Sequence, residues 1–103
     1  MNESQLQDQI RLALGRIPGL VLWRNNSGTA ERHGRHIKFG VGNPGGADLI
    51  GLYRGRFLAV EIKTATGRLS DDQRRFQDLV TARGGTYVVL RSTEEALAWA
   101  AQL

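Results

Sequence analysis

The stretch from Phe57 to Arg91 constrains the fold more than any other part of the sequence. Two apolar runs typical of β-strands, Phe57–Lys63 and Thr86–Arg91, flank a segment with helical spacing. Ser70 and Gln73 match a capping box at the start of this helix. A strand–helix–strand unit of this length predicts a right-handed parallel crossover, and therefore a sheet with a helix packed on it.

Further predicted elements surround this unit. Residues 3–16 predict an amphipathic helix, 19–24 a short strand, 25–35 a polar loop, 36–39 a short strand and 92–103 a last helix. Ala47–Tyr53 predicts a strand that pairs antiparallel with Phe57–Lys63 across a two-residue turn. The predicted class is α/β, a small mixed sheet flanked by helices, in a single domain over residues 1–103.

The charge of the chain indicates a polyanionic partner. It has 14 basic and 10 acidic residues, a net charge of +4, and 12 of the basic residues are arginine. A small basic domain is attracted to nucleic acid, and the planar guanidinium fork suits phosphate. An arginine-rich genome explains the same bias, so the composition alone leaves the partner open.

Several classes of protein are excluded by what the sequence lacks. The chain has no cysteine, which excludes disulfide scaffolds and thiolate zinc sites. No apolar run approaches the roughly 20 residues that span a bilayer, so no membrane partner is expected. The first five residues do not match a secretion signal. We expect a cytoplasmic protein, from a bacterium or a phage-infected host cell.

Two acidic residues lie in predicted strands, where acids are uncommon. Asp48 and Glu61 are each about six residues from the predicted turn at 54–55, so an antiparallel register places them nearly opposite one another. Lys63 is two residues beyond Glu61 and therefore shares its face of the strand. Leu58 lies on the other face, toward the core.

Two converging carboxylates beside an amine favour a hard cation, Mg²⁺ or Mn²⁺, over a softer metal. Such an ion lowers the pKa of a bound water and neutralises charge that develops on phosphorus. The alternative is a structural ion-pair network among Asp48, Glu61 and Lys63, without a metal.

The same residues resemble a nuclease signature. Gly46-Ala47-Asp48 followed by Glu61-Ile62-Lys63 is similar to the PD-(D/E)XK motif, with Gly-Ala-Asp in place of Pro-Asp. The wider pattern resembles the VRR-NUC (virus-type replication-repair nuclease) domain over essentially the whole chain. The segments that carry it are 39–40, 44–51, 55–64, 67–70, Gln73, 84–85 and 88–92. The resemblance implies an αβββαβ core.

The resemblance also implies roles for individual residues. Asp48, Glu61, the backbone carbonyl of Ile62 and Glu3 would bind the metal, Lys63 would be the catalytic lysine, and Gln73 would orient the lysine or the phosphate. Two of these have simpler readings. A glutamate at position 3 is already explained by its favourable interaction with the dipole at the start of a helix. A glutamine at position 73 is already explained as the capping-box partner of Ser70.

By similarity, a minimal member of this family is a Holliday junction resolvase-like endodeoxyribonuclease that acts as a homodimer on branched DNA. A two-fold dimer would present two sites to a two-fold symmetric junction. The last helix with Trp99 is the candidate interface. The alternatives are a nuclease for flaps, nicks or less selective cleavage, and a catalytically silent DNA-binding module.

A basic segment precedes the predicted hairpin and is the candidate surface for DNA backbone contacts. Its members are Arg24, Asn25, Asn26, Arg32, Arg35, His36 and Lys38. The alternative is a solvated basic loop. The glycines of residues 40–46 are expected to let the hairpin or a DNA backbone approach the metal closely.

Overall fold

A computed structural model describes residues 1–103 as three helices and six strands. These are α1 (Glu3–Leu14), β1 (Leu20–Arg24), β2 (Gly28–Arg32), β3 (Arg35–Phe39), β4 (Leu49–Tyr53), β5 (Arg56–Ile62), α2 (Asp71–Ala82), β6 (Thr86–Leu90) and α3 (Thr93–Ala100). None of the three helices has the length and apolar character needed to traverse a bilayer.

The main sheet has four strands in the order β1-β4-β5-β6. β4 pairs antiparallel with β1 and β5, whereas β5 and β6 are parallel, as the strand–helix–strand pattern predicts. The predicted class, a mixed α/β fold with a small sheet flanked by helices, is confirmed.

α1 and α2 begin at side-chain caps, and the cap of α2 is the capping box that the sequence predicts. The Asn2 side chain accepts a hydrogen bond from the Gln5 backbone N–H at 2.8 Å, and Ser70 accepts one from Gln73 at 3.2 Å. α1 ends at Leu14, two residues before the predicted end, and α3 ends at Ala100 rather than at the last residue. The capping side chains satisfy backbone donors that the first helical turn leaves free.

The polar segment 25–35 is not the loop that the sequence predicts. β2 and β3 form an antiparallel hairpin, joined by His33 and Gly34, both with positive φ. A two-residue connection of this kind is typical of hairpins. The short strand predicted at 36–39 is confirmed as β3. β2 was missed because its residues are polar or small and almost all exposed, so it carries no alternation of apolar and polar side chains.

The two faces of the main sheet are covered differently. α1 and α3 pack on one face, over the larger core cluster that includes Leu58, Val60 and Ile62, and Trp99 packs against it. On the other face α2 covers only β5 and β6, where Phe76 and Val80 form a smaller cluster with Ala47 and Ala59.

Beside α2, the same face is bare over β1 and β4. Val21, Trp23 and Leu52 are 45%, 51% and 45% exposed there, and Ile50 is half-buried. The register pairs Val21 with Leu52 and Trp23 with Ile50, so the four side chains share one surface. We call these four residues the uncovered half-face.

Candidate active site

The two acids in the main sheet meet where β4 begins and β5 ends. Leu49 pairs with Val60, so the same register places Asp48 opposite Glu61. Asp48 also fixes the end of β5, because its Oδ2 accepts a hydrogen bond from the Ile62 N–H at 2.8 Å. The convergence expected from the turn position is present in the structure.

Glu3 completes a group of three carboxylates. Single oxygens of Glu3, Asp48 and Glu61 all lie within 4.8 Å of one another. Glu3 is exposed, Asp48 is half-buried and Glu61 is 2% exposed. Glu3 is the first residue of α1, whose capping box with Asn2 fixes the start of the helix beside the sheet.

Two donors contact one oxygen of Glu61. Gln73 Nε2 donates to Glu61 Oε2 at 3.0 Å, and Lys63 Nζ lies 3.5 Å from the same oxygen. Gln73 Oε1 accepts from the Ser70 N–H at 2.9 Å. The capping role of Gln73 is therefore confirmed, and the same amide also holds Glu61, a contact that the sequence analysis did not predict.

The other oxygen of Glu61 has no partner. Two buried side-chain polar atoms lack a hydrogen bond in this protein, Glu61 Oε1 and the Tyr87 hydroxyl. An unpartnered buried carboxylate oxygen is costly unless a cation or a donor reaches it. Three converging carboxylates with an unused oxygen fit a divalent cation that prefers oxygen ligands.

Ile62 lies between Glu61 and Lys63 with its side chain in the larger core cluster. Its N–H is occupied by Asp48. The resemblance assigns the Ile62 carbonyl oxygen to the metal. This oxygen lies on the peptide between Ile62 and Lys63, and the hydrogen bond from Ile62 to Asp48 does not use it.

The electrostatics of the site reflect an excess of negative charge. The pKa of Glu61 is raised from 4.5 to about 7, chiefly by burial and then by the charges of Asp48 and Glu3, against the opposing effect of Lys63. Burial, together with the charges of Glu61 and Asp48, also raises the pKa of Tyr87 above its ordinary value. Positive charge is what this cluster lacks.

The glycine-rich segment 40–46 supports the site by contact with the chain itself. Gly45 has a φ of +93°, and a Cβ there would overlap the backbone of Asp72 in the first turn of α2. A Cβ at Gly46 would overlap the carbonyl oxygen of Val41. The close approach expected of these glycines is therefore made to α2 and to the segment's own backbone.

Asn25 holds this segment and is not free to bind a phosphate. Its Nδ2 donates to the carbonyls of Val41 and Ala47 at 2.8 and 2.9 Å, and its Oδ1 accepts from the Val41 N–H. Its backbone N–H donates to the Asp48 carbonyl at 2.8 Å. Its sequence assignment as a DNA contact is thus corrected, since the side chain positions the strand that carries Asp48.

The remaining candidate DNA contacts are exposed but do not form one cluster. Arg24 ends β1, Asn26 follows it, and Arg32, Arg35, His36 and Lys38 lie on the β2–β3 hairpin. Arg32 pairs with Arg35 at the hairpin tip, whereas Lys38 pairs with Thr29 on the opposite face. None of these side chains forms an ion pair.

Sequence reasoning missed Tyr87 and Arg91. Tyr87 pairs with Ala59 and so lies on the Glu61 face of the sheet, which strand parity in β6 would have indicated. Arg91 Nη1 donates to the carbonyls of Thr64 and Gly67, both at 2.7 Å, and fixes the loop that follows Lys63. No local sequence signal indicates those two acceptors.

Comparison with known proteins accounts for this arrangement. The VRR-NUC domain matches residues 2–94, a range that contains all three carboxylates, Lys63 and Gln73. No curated protein matches the chain. The chain therefore belongs to the VRR-NUC family, whose members are nucleases of the PD-(D/E)XK type.

Proposed function

We propose that this nuclease is a Mg²⁺- or Mn²⁺-dependent endonuclease that hydrolyses phosphodiester bonds in branched DNA, in the manner of a Holliday junction resolvase and as a homodimer. The observation that carries the metal-dependent part is the three-carboxylate cluster, in which buried Glu61 has one oxygen without a partner. A network of internal ion pairs would leave no such oxygen, and Lys63 is the one cation that contacts the cluster.

Each residue of the site has a distinct task in this proposal. Asp48, Glu61 and Glu3 hold the cation, with the Ile62 carbonyl as a further ligand. A bound divalent cation would supply positive charge at the scissile phosphate and activate a water for attack. Gln73 keeps the Glu61 carboxylate in place through its hydrogen bond of 3.0 Å.

Lys63 provides the fixed positive charge of the protein itself. Its side chain is only 14% exposed, and a Cβ at Gly67 would lie 3.3 Å from its Cδ, so the stem is packed against the following loop. An ammonium held in place stabilises the negative oxygens of the phosphate as charge builds in the transition state. It also donates a hydrogen bond that orients the attacking water.

The uncovered half-face supports the homodimer. Val21, Trp23 and Leu52 form an exposed apolar surface on the edge of the main sheet, on the face that carries the active site. Exposed apolar patches of this kind mark interaction sites. The alternative interface at α3 is less favoured, since Trp99 packs against the core of its own chain.

The test is cleavage of a labelled four-way junction beside a linear duplex and a flap, each in Mg²⁺, Mn²⁺ and EDTA. Wild type is compared with Lys63→Ala and with the control Arg16→Ala, which removes an exposed charge at the far end of α1. We expect metal-dependent cutting of the junction by wild type and the control, and none by Lys63→Ala.

Other outcomes overturn separate parts of the proposal. Cutting of flaps or plain duplex at a rate equal to that of the junction would remove the resolvase assignment and keep the nuclease. Binding without cleavage in either metal, by folded wild type, would favour the silent DNA-binding module.

A further inference from the structure

A basic groove adjoins the active site on the side of β6, which is an edge strand of the main sheet. It has a volume of about 460 Å³ and lies between α2, the loop that follows β5, and β6. Its lining includes Arg68, Arg74, Arg91, Gln77, Asp78 and Val89. None of these residues belongs to the DNA surface that the sequence predicts.

Three elements connect this groove to the active site. Val89 pairs with Glu61 across β5 and β6, so both side chains lie on the same face of the sheet. Arg74 follows Gln73, which donates to Glu61. Arg68 lies in the loop that begins after Lys63. A strand bound at the carboxylates would therefore enter the groove if it continued toward the β6 edge.

The groove carries uncompensated positive charge. It holds three guanidinium groups and one carboxylate, that of Asp78, and neither of the two ion pairs in the protein involves any of them. Like charges gathered in a concave surface attract an anion and raise its local concentration. Guanidinium groups match a phosphate in particular, because their planar fork donates two parallel hydrogen bonds.

Arg91 gives the groove a preorganised donor. Its Nη1 is committed to the carbonyls of Thr64 and Gly67, which fixes the orientation of the guanidinium plane. Its Nη2 and Nε remain as further donors. Arg68 and Arg74 are exposed and can move to meet a ligand, whereas Arg91 is half-buried.

We propose that this groove binds a backbone phosphate of the DNA strand that is cleaved, close to the scissile phosphate on the β6 side. The inference rests on the proposed function for the identity of the ligand, but it concerns binding and not the chemical step. Contacts of this kind hold the strand in register and carry no sequence information.

The first test measures binding of a labelled 20-base-pair DNA duplex in EDTA over a range of salt concentrations. Arg68→Gln combined with Arg74→Gln is compared with a control of equal charge loss, Arg16→Gln combined with Arg83→Gln. Both control positions are exposed, and Arg83 is the C-cap residue that follows α2, about 13 Å along the helix axis from Arg74. Arg91 is left intact because its loss would also release the loop after Lys63.

We expect the groove variant to bind about tenfold more weakly at moderate salt, with the slope of log affinity against log salt reduced by about 1 to 2. The control is expected to stay close to wild type. Equal losses in the two variants would overturn the proposal, because they would show an effect of net charge only. Absence of DNA binding by wild type would overturn it as well.

A second test places the phosphate. A single neutral methylphosphonate is moved one position at a time along the cleaved strand, and the cleavage rate is measured with wild type and with the groove variant. A methylphosphonate at one position flanking the scissile phosphate should lower the cleavage rate of wild type. The same substitution should leave the rate of the already slower groove variant unchanged. Slowing of both proteins by the same factor at every position would contradict the assignment.

The two proposals fail in different ways. If the variants differ in DNA binding as expected but wild type never cleaves DNA, the proposed function is wrong and the groove proposal stands. If both variants bind and cleave DNA as well as wild type does, the proposed function stands and the groove proposal is wrong.

Discussion

One face of the main sheet has two halves with opposite surroundings. Under α2, the half formed by β5 and β6 is covered by Phe76 and Val80 and contains the buried Glu61. The uncovered half-face, on β1 and β4, is apolar and exposed. The covered half is thus the place where a carboxylate is desolvated, and the other half is free for a partner.

The contrast shows what a single helix does on this face. α2 has 12 residues and is the one helix packed on this side of the sheet, so it shields two of the four strands. Burial is the largest cause of the raised pKa of Glu61, about 7, and one oxygen of the buried carboxylate has no partner. The cost of keeping a charge there is what a bound cation would offset.

The largest effect is expected at the covered half, for Glu61→Gln. The amide keeps the shape of the carboxylate and removes the charge that would hold the cation, so cleavage should fall by about 10²–10³-fold or more. Single-turnover cleavage of the junction in Mg²⁺ measures this, with the exposed acid variant Glu94→Gln as the control. A loss of less than about tenfold would show that Glu61 is not a metal ligand.

Phe76→Ala tests the cover itself. The Phe76 ring is 8% exposed, packs edge-on to Tyr87 at 6.3 Å, and lies against Gly42. Its removal should lower the free energy of unfolding by about 3–5 kcal/mol, as for other buried aromatic side chains. Urea denaturation provides the value. Leu79→Ala on the same helix, which is 53% exposed, should cost less than about 1 kcal/mol, and equal losses would contradict the packing described here.

Raising the pH should destabilise the metal-free protein through Glu61. The group ionises near 4.5 when unfolded and near 7 when folded, so the folded state holds the proton more tightly between these values. Its stabilising effect is fully present below pH 4.5 and is lost as the pH rises through 7, a loss of about 3 kcal/mol.

Urea denaturation in EDTA at several pH values from about 4.5 to 8 measures this effect as the difference between wild type and Glu61→Gln. The variant should lack this component of the pH dependence. Mg²⁺ at pH 8 should stabilise wild type and not the variant, since a ligand that binds only the folded state raises its stability. Parallel pH profiles for the two proteins would show that Glu61 ionises normally.

The smallest change in folding stability is expected on the uncovered half-face. Val21→Thr with Leu52→Thr keeps residues compatible with strands and should cost less than about 1 kcal/mol in the isolated chain, because both side chains are exposed. In analytical ultracentrifugation the same double variant should sediment as a monomer to a greater extent than wild type. Leu97→Ser on α3 is the comparison, and dissociation by that variant alone would place the interface on α3 instead.

How far the sequence predicts this structure depends on which residues are buried. β5, α2 and β6 follow from apolar runs and a capping box, and the approach of Asp48 to Glu61 follows from counting along the hairpin. β2 does not, although its partner β3 was predicted, because the exposed residues of β2 have no apolar face to reveal the period of the strand. Hydrogen bonds from Asn25 and Arg91 join segments far apart in the chain, and no local pattern encodes them.

The Gln73 side chain contacts both the first turn of α2 and the active-site residue Glu61, so a change at one place affects the other. Helix termini are the parts of a helix that open most readily, and such local opening is visible in amide hydrogen exchange. Here the same amide that closes the first turn of α2 also holds Glu61 Oε2. Fraying of that turn would break the hydrogen bond that holds the Glu61 carboxylate. Conversely, a cation bound to Glu61 would slow hydrogen exchange at the backbone amides of Gln73 and Arg74. We therefore expect the start of α2 and the Glu61 carboxylate to open together.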